Sequence, residues 1–284
     1  MKKNNISIIL LSTLVVILIA ILISLAGCEN IEMSSEGDIK LVLNAYLYED
    51  EPVTHVQLSE SLPFTSPDSI FPLISDAGIS IQWQDGRFPL LSSDSAGFYH
   101  CPDTNLRIIS GDKYMIEIIR GEDILTAETT VPQKPDSMKL SAIRIEIDPG
   151  MSPWEMRQAG IADIEVTWSN PNGEYFYVLV ENIEEDPEDI DFGFSGFGGK
   201  FQNFRFLSRP FITNTYIIRV FLSVQQYGTH RVKLFRVNQE YADLYENREQ
   251  DSRNLTEPLS NVNNGLGIFT AFSYDEAYFE VVKK

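Results

Sequence analysis

One cysteine sits among residues that point to covalent chemistry. Cys28 closes Leu25-Ala26-Gly27-Cys28, directly after an almost unbroken apolar run from Ile6 to Leu25 and a basic start at Lys2 and Lys3. The apolar run exceeds the roughly 7–15 residues of an ordinary signal-peptide core and nears the ~20 that span a bilayer, so an uncleaved membrane helix competes with a leader. The small residues before Cys28 decide between them, because they let a peptidase reach the bond ahead of a diacylglyceryl-modified thiol. Residues 1–27 therefore read as a lipoprotein signal peptide and Cys28 as the lipidation site. Several acyl chains, palmitate among them, at about 0.8 kcal/mol per buried CH₂, hold a domain at a membrane. Cys28 is thus a tether and not a nucleophile.

The other candidates are weaker. Glu181 to Asp191 concentrates carboxylates, the hard oxygen ligands Ca²⁺ takes, but the spacing is not that of an EF-hand loop and such runs are commonly solvated. After it come Phe192, Phe194, Phe197, Phe201, Phe204 and Phe206, interleaved with Gly193, Gly196, Gly198 and Gly199. Aromatics on glycine make a poor core and a plausible contact surface, so Phe192, Phe194, Phe197, Phe201 and Phe204 are the candidate partner-binding residues. The competing reading is a long hairpin loop. Gly193-Phe194-Ser195-Gly196-Phe197 only superficially resembles a nucleophile elbow, since the last glycine is displaced. His55, His100 and His230 are scattered, and His100 and Cys101, being adjacent, point to opposite faces of a strand. No catalytic residue, metal or cofactor is assigned, and the reading is non-enzymatic. Carboxylate pairs for glycoside hydrolysis stay open, because their separation is a three-dimensional quantity.

These residues need a scaffold. The net charge is −19, and loss of Lys2 and Lys3 with the leader takes it to about −21, which repels nucleic acid and excludes it as a partner. With Cys28 lipidated, Cys101 is the remaining thiol and no internal disulfide can form, so packing must hold the fold. Residues 28–38 are polar and acidic, suited to a tether. From Ile39 the pattern is that of short strands. Ile39, Leu41, Leu43, Ala45 and Leu47 alternate onto one face, and further strands are expected at 53–58, 79–83, 87–91, 97–100, 114–119 and 124–131. Asp85-Gly86 is expected to supply the positive φ of a hairpin turn. Val131 to Asp136 holds two prolines and marks a boundary between an immunoglobulin-like β-sandwich at 39–132 and a β-rich domain at 138–284 carrying the Phe/Gly loop 192–206. The second domain is expected to hold strands at 139–147, 161–168, 175–181, 216–224, 230–237, 267–272 and 277–282. It also carries one short helix from about Gln239 to Arg248, with Asn238 as cap and Tyr241, Leu244 and Tyr245 on one face.

Asn261-Val262-Asn263-Asn264-Gly265-Leu266-Gly267-Ile268-Phe269, shortly after a Tyr-rich helix and Glu257-Pro258, resembles the C-terminal signature of the Bacteroidota envelope lipoproteins grouped as domain of unknown function 4249. Leu41 to Leu47, Asp76 to Ile81, Gly97-Phe98-Tyr99, Gly111 to Tyr114 and Val131-Pro132 agree with it in order and spacing. The resemblance implies an outer-membrane lipoprotein, often encoded beside TonB-dependent transporters, with an accessory role in capture or uptake. Acidic residues after the anchor resemble a surface-export signal, interrupted here by Asn30 and Ile31, so cell-surface exposure is expected with a periplasm-facing anchor as the alternative. On its own residues the signature reads as structural, with Gly265 and Gly267 permitting close approach and Leu266, Ile268 and Phe269 filling a core.

The expected function is a lipid-anchored, non-enzymatic binding or scaffolding subunit paired with an outer-membrane transporter, its ligand unidentified. A surface glycan-binding protein or glycan hydrolase is the alternative, and an adhesion module a third.

Overall fold

Side chains on a strand alternate between its two faces, so one residue in two is free to build something other than the core. In β1 (Leu41–Tyr48), Leu41, Leu43, Ala45 and Leu47 are buried, while Val42, Asn44, Tyr46 and Tyr48 take the opposite face. Ile39, expected on the buried face, precedes the strand and is 59% exposed. The computed structural model describes residues 39–62, 70–93, 96–160, 163–192, 204–246 and 260–284. Apart from Ile39 and Leu62 these lie in one unit.

The chain is mainly β. β2 (His55–Glu60), β3 (Gly78–Trp83), β4 (Gly86–Ser92), β5 (Phe98–His100), β6 (Lys113–Arg120) and β7 (Asp123–Thr130) follow β1 and pair in the order β1-β2-β5-β4-β3-β6-β7. β4 links two layers, because Gly86 to Leu90 pair with β3 whereas Leu91 and Ser92 pair with β5. Leu43, Leu58, Ile81, Ile116 and Ala127 meet between the layers in the first core. Each large aliphatic side chain buried there contributes about 1.5–3 kcal/mol.

Beyond Val131 come β8 (Asp136–Leu140), β9 (Arg144–Ile147), α1 (Pro153–Gln158), β10 (Ile164–Ser169), β11 (Tyr175–Asn182), β12 (Arg205–Leu207), β13 (Thr215–Ile218), α2 (Val220–Ser223), β14 (Gly228–Val237), α3 (Gln239–Glu246), β15 (Val262–Asn263) and β16 (Leu266–Lys283). A three-stranded sheet β13-β10-β8 faces β11, β14, β9 and the end of β16. Val166, Trp168, Val178, Leu234 and Phe279 fill the second core between them.

Several elements differ from expectation. The strands expected at 267–272 and 277–282 are one strand, β16, of 18 residues. Its first part pairs in parallel with β1 from Leu266 to Phe272, and it then pairs antiparallel with β14 from Phe272 to Val281. The segment 262–272 is accordingly built into the first core through Val262, Phe269 and Ala271, and not into the second domain to which 138–284 was assigned. Residues 139–147 form two strands, and 216–224 is a strand followed by α2. In the β3–β4 hairpin Trp83 faces Gly86, so the two-residue loop is Gln84-Asp85 and the positive φ of 52° falls on Gln84. Gly86 is a strand residue under the Phe88 ring. Three short helices are described where one was expected. Of these, α1 had a readable signal: Ser152 and Glu155 form a capping box around Pro153, with Ser152 N donating to Glu155 Oε2 at 2.8 Å.

Candidate functional site

The register of four adjacent strands creates a second aromatic face. β11, β14, β16 and β1 lie side by side, with Tyr177 opposite Phe235, Phe235 opposite Tyr274, and Phe272 opposite both Val237 and Tyr48. Since Val178, Leu234 and Ala271 alternate into the two cores, these aromatics share the reverse side of the sheet. They stack closely, Tyr177 on Phe235 at 4.6 Å between centroids and Tyr48 on Phe272 at 5.0 Å. Such pairs add about 0.5–1.5 kcal/mol each beyond their buried area.

Helix α3 covers part of this face. Asn238, just before it, donates from Nδ2 to Thr129 Oγ1 at 3.1 Å and to the Thr130 carbonyl at 3.0 Å, which ties the helix start to β7. Glu240 Oε1 accepts from the buried Thr270 hydroxyl at 3.2 Å. Tyr241, Leu244 and Tyr245 then face Tyr46, Tyr48 and Phe272 across a cleft of about 240 Å³. Burial pushes the Tyr48 phenol up to about 12, and burial helped by Glu51 does the same for Tyr274. Tyr177, by burial, and Tyr241, by burial and its 3.1 Å contact with the Tyr245 hydroxyl, are raised further. The phenols are therefore neutral throughout the physiological range. Among the described residues the lining is aromatic apart from Leu244, and the tyrosine hydroxyls are its polar groups.

A second cleft of about 260 Å³ is lined by Asp50, Glu51, Cys101, Asp103 and Arg107, among others. Its carboxylates have structural work: Asp50 pairs with Lys134 at 3.3 Å, Glu51 accepts from the Tyr274 hydroxyl at 3.2 Å, and Asp103 accepts from the Asn105 backbone at 2.8 Å. Burial raises the Cys101 thiol.

The residues singled out from sequence are dispersed. Cys28, Phe194, Phe197 and Phe201 lie outside the described residues, as do the leader and tether. Phe192 is 8% exposed and sits edge to face with Phe221 at 5.4 Å within the second core, so it supports packing and presents no contact surface. Phe204 is half-buried, and Phe206 packs against the same core. The acidic run is split among separate partners. Buried Glu181, which desolvation alone would raise, is held below the usual carboxylate range by Arg231 and Arg205, at 2.6 and 2.7 Å. Glu184 accepts from the Thr229 backbone at 2.9 Å, and Glu188 pairs with Lys283. Among the described residues no three of His, Cys, Asp and Glu converge as a metal-holding group. His230 is buried flat against Phe279 at 5.0 Å, and burial lowers it to about 4.

The C-terminal signature is structural in detail. Asn261 clamps Phe269 from both sides, donating to its carbonyl at 2.7 Å and accepting from its N–H at 2.9 Å. Gly267 has φ +108°, and a Cβ there would penetrate the Leu43 backbone. The N-terminal motifs act similarly. Tyr99 donates to the Ile74 carbonyl at 3.0 Å, Asp112 accepts from the Trp83 indole at 2.8 Å, and Tyr114 bonds Arg107 and Ile109. Only the Tyr241–Tyr245 face of the cleft was visible as a helical pattern; its other wall depends on pairing between residues over 200 positions apart.

Among the described residues no helix is long and apolar enough to cross a membrane. The two fibronectin type-III domain segment of chicken tenascin is similar at 12% identity and a TM-score of 0.25, over 86% of this chain and 99% of that one. The FN1–FN3 domains of chicken CNTN1 are similar at 11% identity and a TM-score of 0.19, over 85% and 67%. No curated protein matches the chain. The profile of one family matches residues 29–277, which takes in the first core, most of the second, the signature and every residue of the tyrosine cleft, and the chain belongs to that family, the domain of unknown function DUF4249.

Proposed function

We propose that the protein is a lipid-anchored, non-enzymatic binding subunit of the outer membrane, tethered through Cys28 and working beside a TonB-dependent transporter in nutrient uptake. The observation that carries the binding role is the tyrosine cleft, a concave aromatic surface with hydroxyl groups at its tips. Leu25-Ala26-Gly27-Cys28 supports the anchor, and the resemblance to Bacteroidota envelope lipoproteins supports the transporter and the surface location. Phe194, Phe197 and Phe201 remain candidate docking residues for the transporter.

The test is metabolic labelling with a palmitate analogue, followed by a mild-detergent pull-down from the native envelope. The wild type is expected to take up label and co-purify a transporter, and Cys28→Ser to lose the label and the membrane association. Unlabelled wild-type protein in the soluble fraction would sink the anchor. A labelled protein that recovers no transporter would sink the accessory role. Replacing Phe194, Phe197 and Phe201 together by Ala tests docking, since recovery equal to wild type removes those three residues from it.

A further inference from the structure

We propose that the cleft between α3 and the β1–β16 pair is a binding site for an organic ammonium group of the methylated or quaternary kind, a ligand class that deepens the binding role proposed above and rests on it. The walls are Tyr46, Tyr48, Tyr241, Tyr245, Phe272 and Leu244. A cation within about 6 Å of a ring centroid is attracted by the negative face of the aromatic quadrupole, and the attraction grows as water is excluded. Several rings must therefore face one volume from different directions.

The rings are turned in that way. Tyr46 and Tyr241 stand at 90° with centroids 6.5 Å apart, Tyr241 and Phe272 at 87° and 4.8 Å, and Tyr241 and Tyr245 at 59° and 5.5 Å. Phe272, buried and packed against Tyr48 and Tyr241, forms the floor, and the tyrosines set across one another above it, Tyr46 and Tyr241 foremost, form the sides. A sugar needs instead a flat platform with charged or amide side chains at its rim to bond its hydroxyls, and among the described residues no such side chain lines this cleft. A volume of about 240 Å³ accommodates a trimethylammonium head with a short tail.

The same aromatic face already holds an ammonium. Lys233 Nζ lies 3.9 Å over the Tyr274 ring and 6.0 Å from the Phe235 centroid, on the sheet whose next strands carry Phe272 and Tyr48. The net charge of −19 raises the local concentration of any cation. Methylation favours the ligand further, because a methylated ammonium gives up less hydration on entering an apolar box than a primary ammonium or a metal ion does.

The experiment uses the full-length protein in detergent at fixed ionic strength, with tetramethylammonium, choline, 3,3-dimethylbutan-1-ol (choline's uncharged isostere) and maltose as probes, followed by calorimetry. Tetramethylammonium and choline are expected to bind, with the uncharged isostere at least about tenfold weaker. Tyr241→Phe keeps the ring and should hold affinity within about threefold, whereas Tyr241→Ala should lose about tenfold or more. Circular dichroism checks that each variant is folded, and Tyr245→Ala replaces Tyr241→Ala if that variant is not. Equal binding of choline and its isostere overturns the ammonium assignment while leaving a binding cleft, and so does binding of maltose alone. Absence of choline and tetramethylammonium binding to the wild type also overturns it, and leaves the transporter pull-down as the separate measure of the accessory role.

Discussion

The Phe/Gly-rich stretch after Asp191 and the tyrosine face of the β11-β14-β16-β1 sheet are both rich in aromatics, but they are made differently. The first is contiguous in the chain, and the two ends that are described, Phe192 and Phe206, turn into the second core. The second is assembled from Tyr46, Tyr48, Tyr177, Phe235 and Phe272, which strand register brings together, and from Tyr241, which the docking of α3 adds. At the described ends of the first, then, crowding of aromatics along the sequence marks core packing. What counts is which face of a sheet each residue takes.

The contrast is broken most completely at the strand both cores share. Gly267→Val places a side chain inside the Leu43 backbone and should cost more than about 5 kcal/mol, so that no folded protein is recovered. A folded Gly267→Val protein with a wild-type melting curve would show that the β1–β16 pairing does not hold the tyrosine face together. Next in size is Phe192→Ala, expected to destabilise by about 3–5 kcal/mol in urea titration, as for a core phenylalanine. A loss under about 1 kcal/mol, typical of a surface site, would return Phe192 to the contact surface.

The two regions should also separate by pH. His230 in the second core has its folded value depressed from 6.5 to about 4, so the unfolded chain takes up the proton first. Stability should fall as pH drops from about 6.5 towards 4, by up to about 3 kcal/mol, and His230→Phe should flatten that slope. The sign is opposite on the tyrosine face. Tyr48 and Tyr274 are raised from 10.0 to about 12, so the unfolded chain loses protons first and stability should fall as pH rises from 10 to 12. Equal acid slopes in wild type and His230→Phe would remove His230 as the source. The smallest effect is expected for Tyr245→Phe, which removes the 3.1 Å hydroxyl contact with Tyr241 and should cost about 1 kcal/mol by thermal melting.

Much of this was legible in the chain because it is local. Alternation along Leu41 to Leu47 sets which side of β1 enters the core, and Ser152-Pro153-Trp154-Glu155 carries its own helix start. The i, i+3, i+4 spacing of Tyr241, Leu244 and Tyr245 places one wall of the cleft, and the two glycines of the C-terminal signature state that backbones approach there. These follow from φ, ψ and side-chain periodicity within a few residues. The joining of 267–272 to 277–282 as one strand, the return of Val262, Phe269 and Ala271 into the first core and the meeting of Tyr46 with Tyr241 do not. They depend on which strand pairs with which, and that is decided by burial summed over residues far apart in sequence, so only the tertiary structure could settle them.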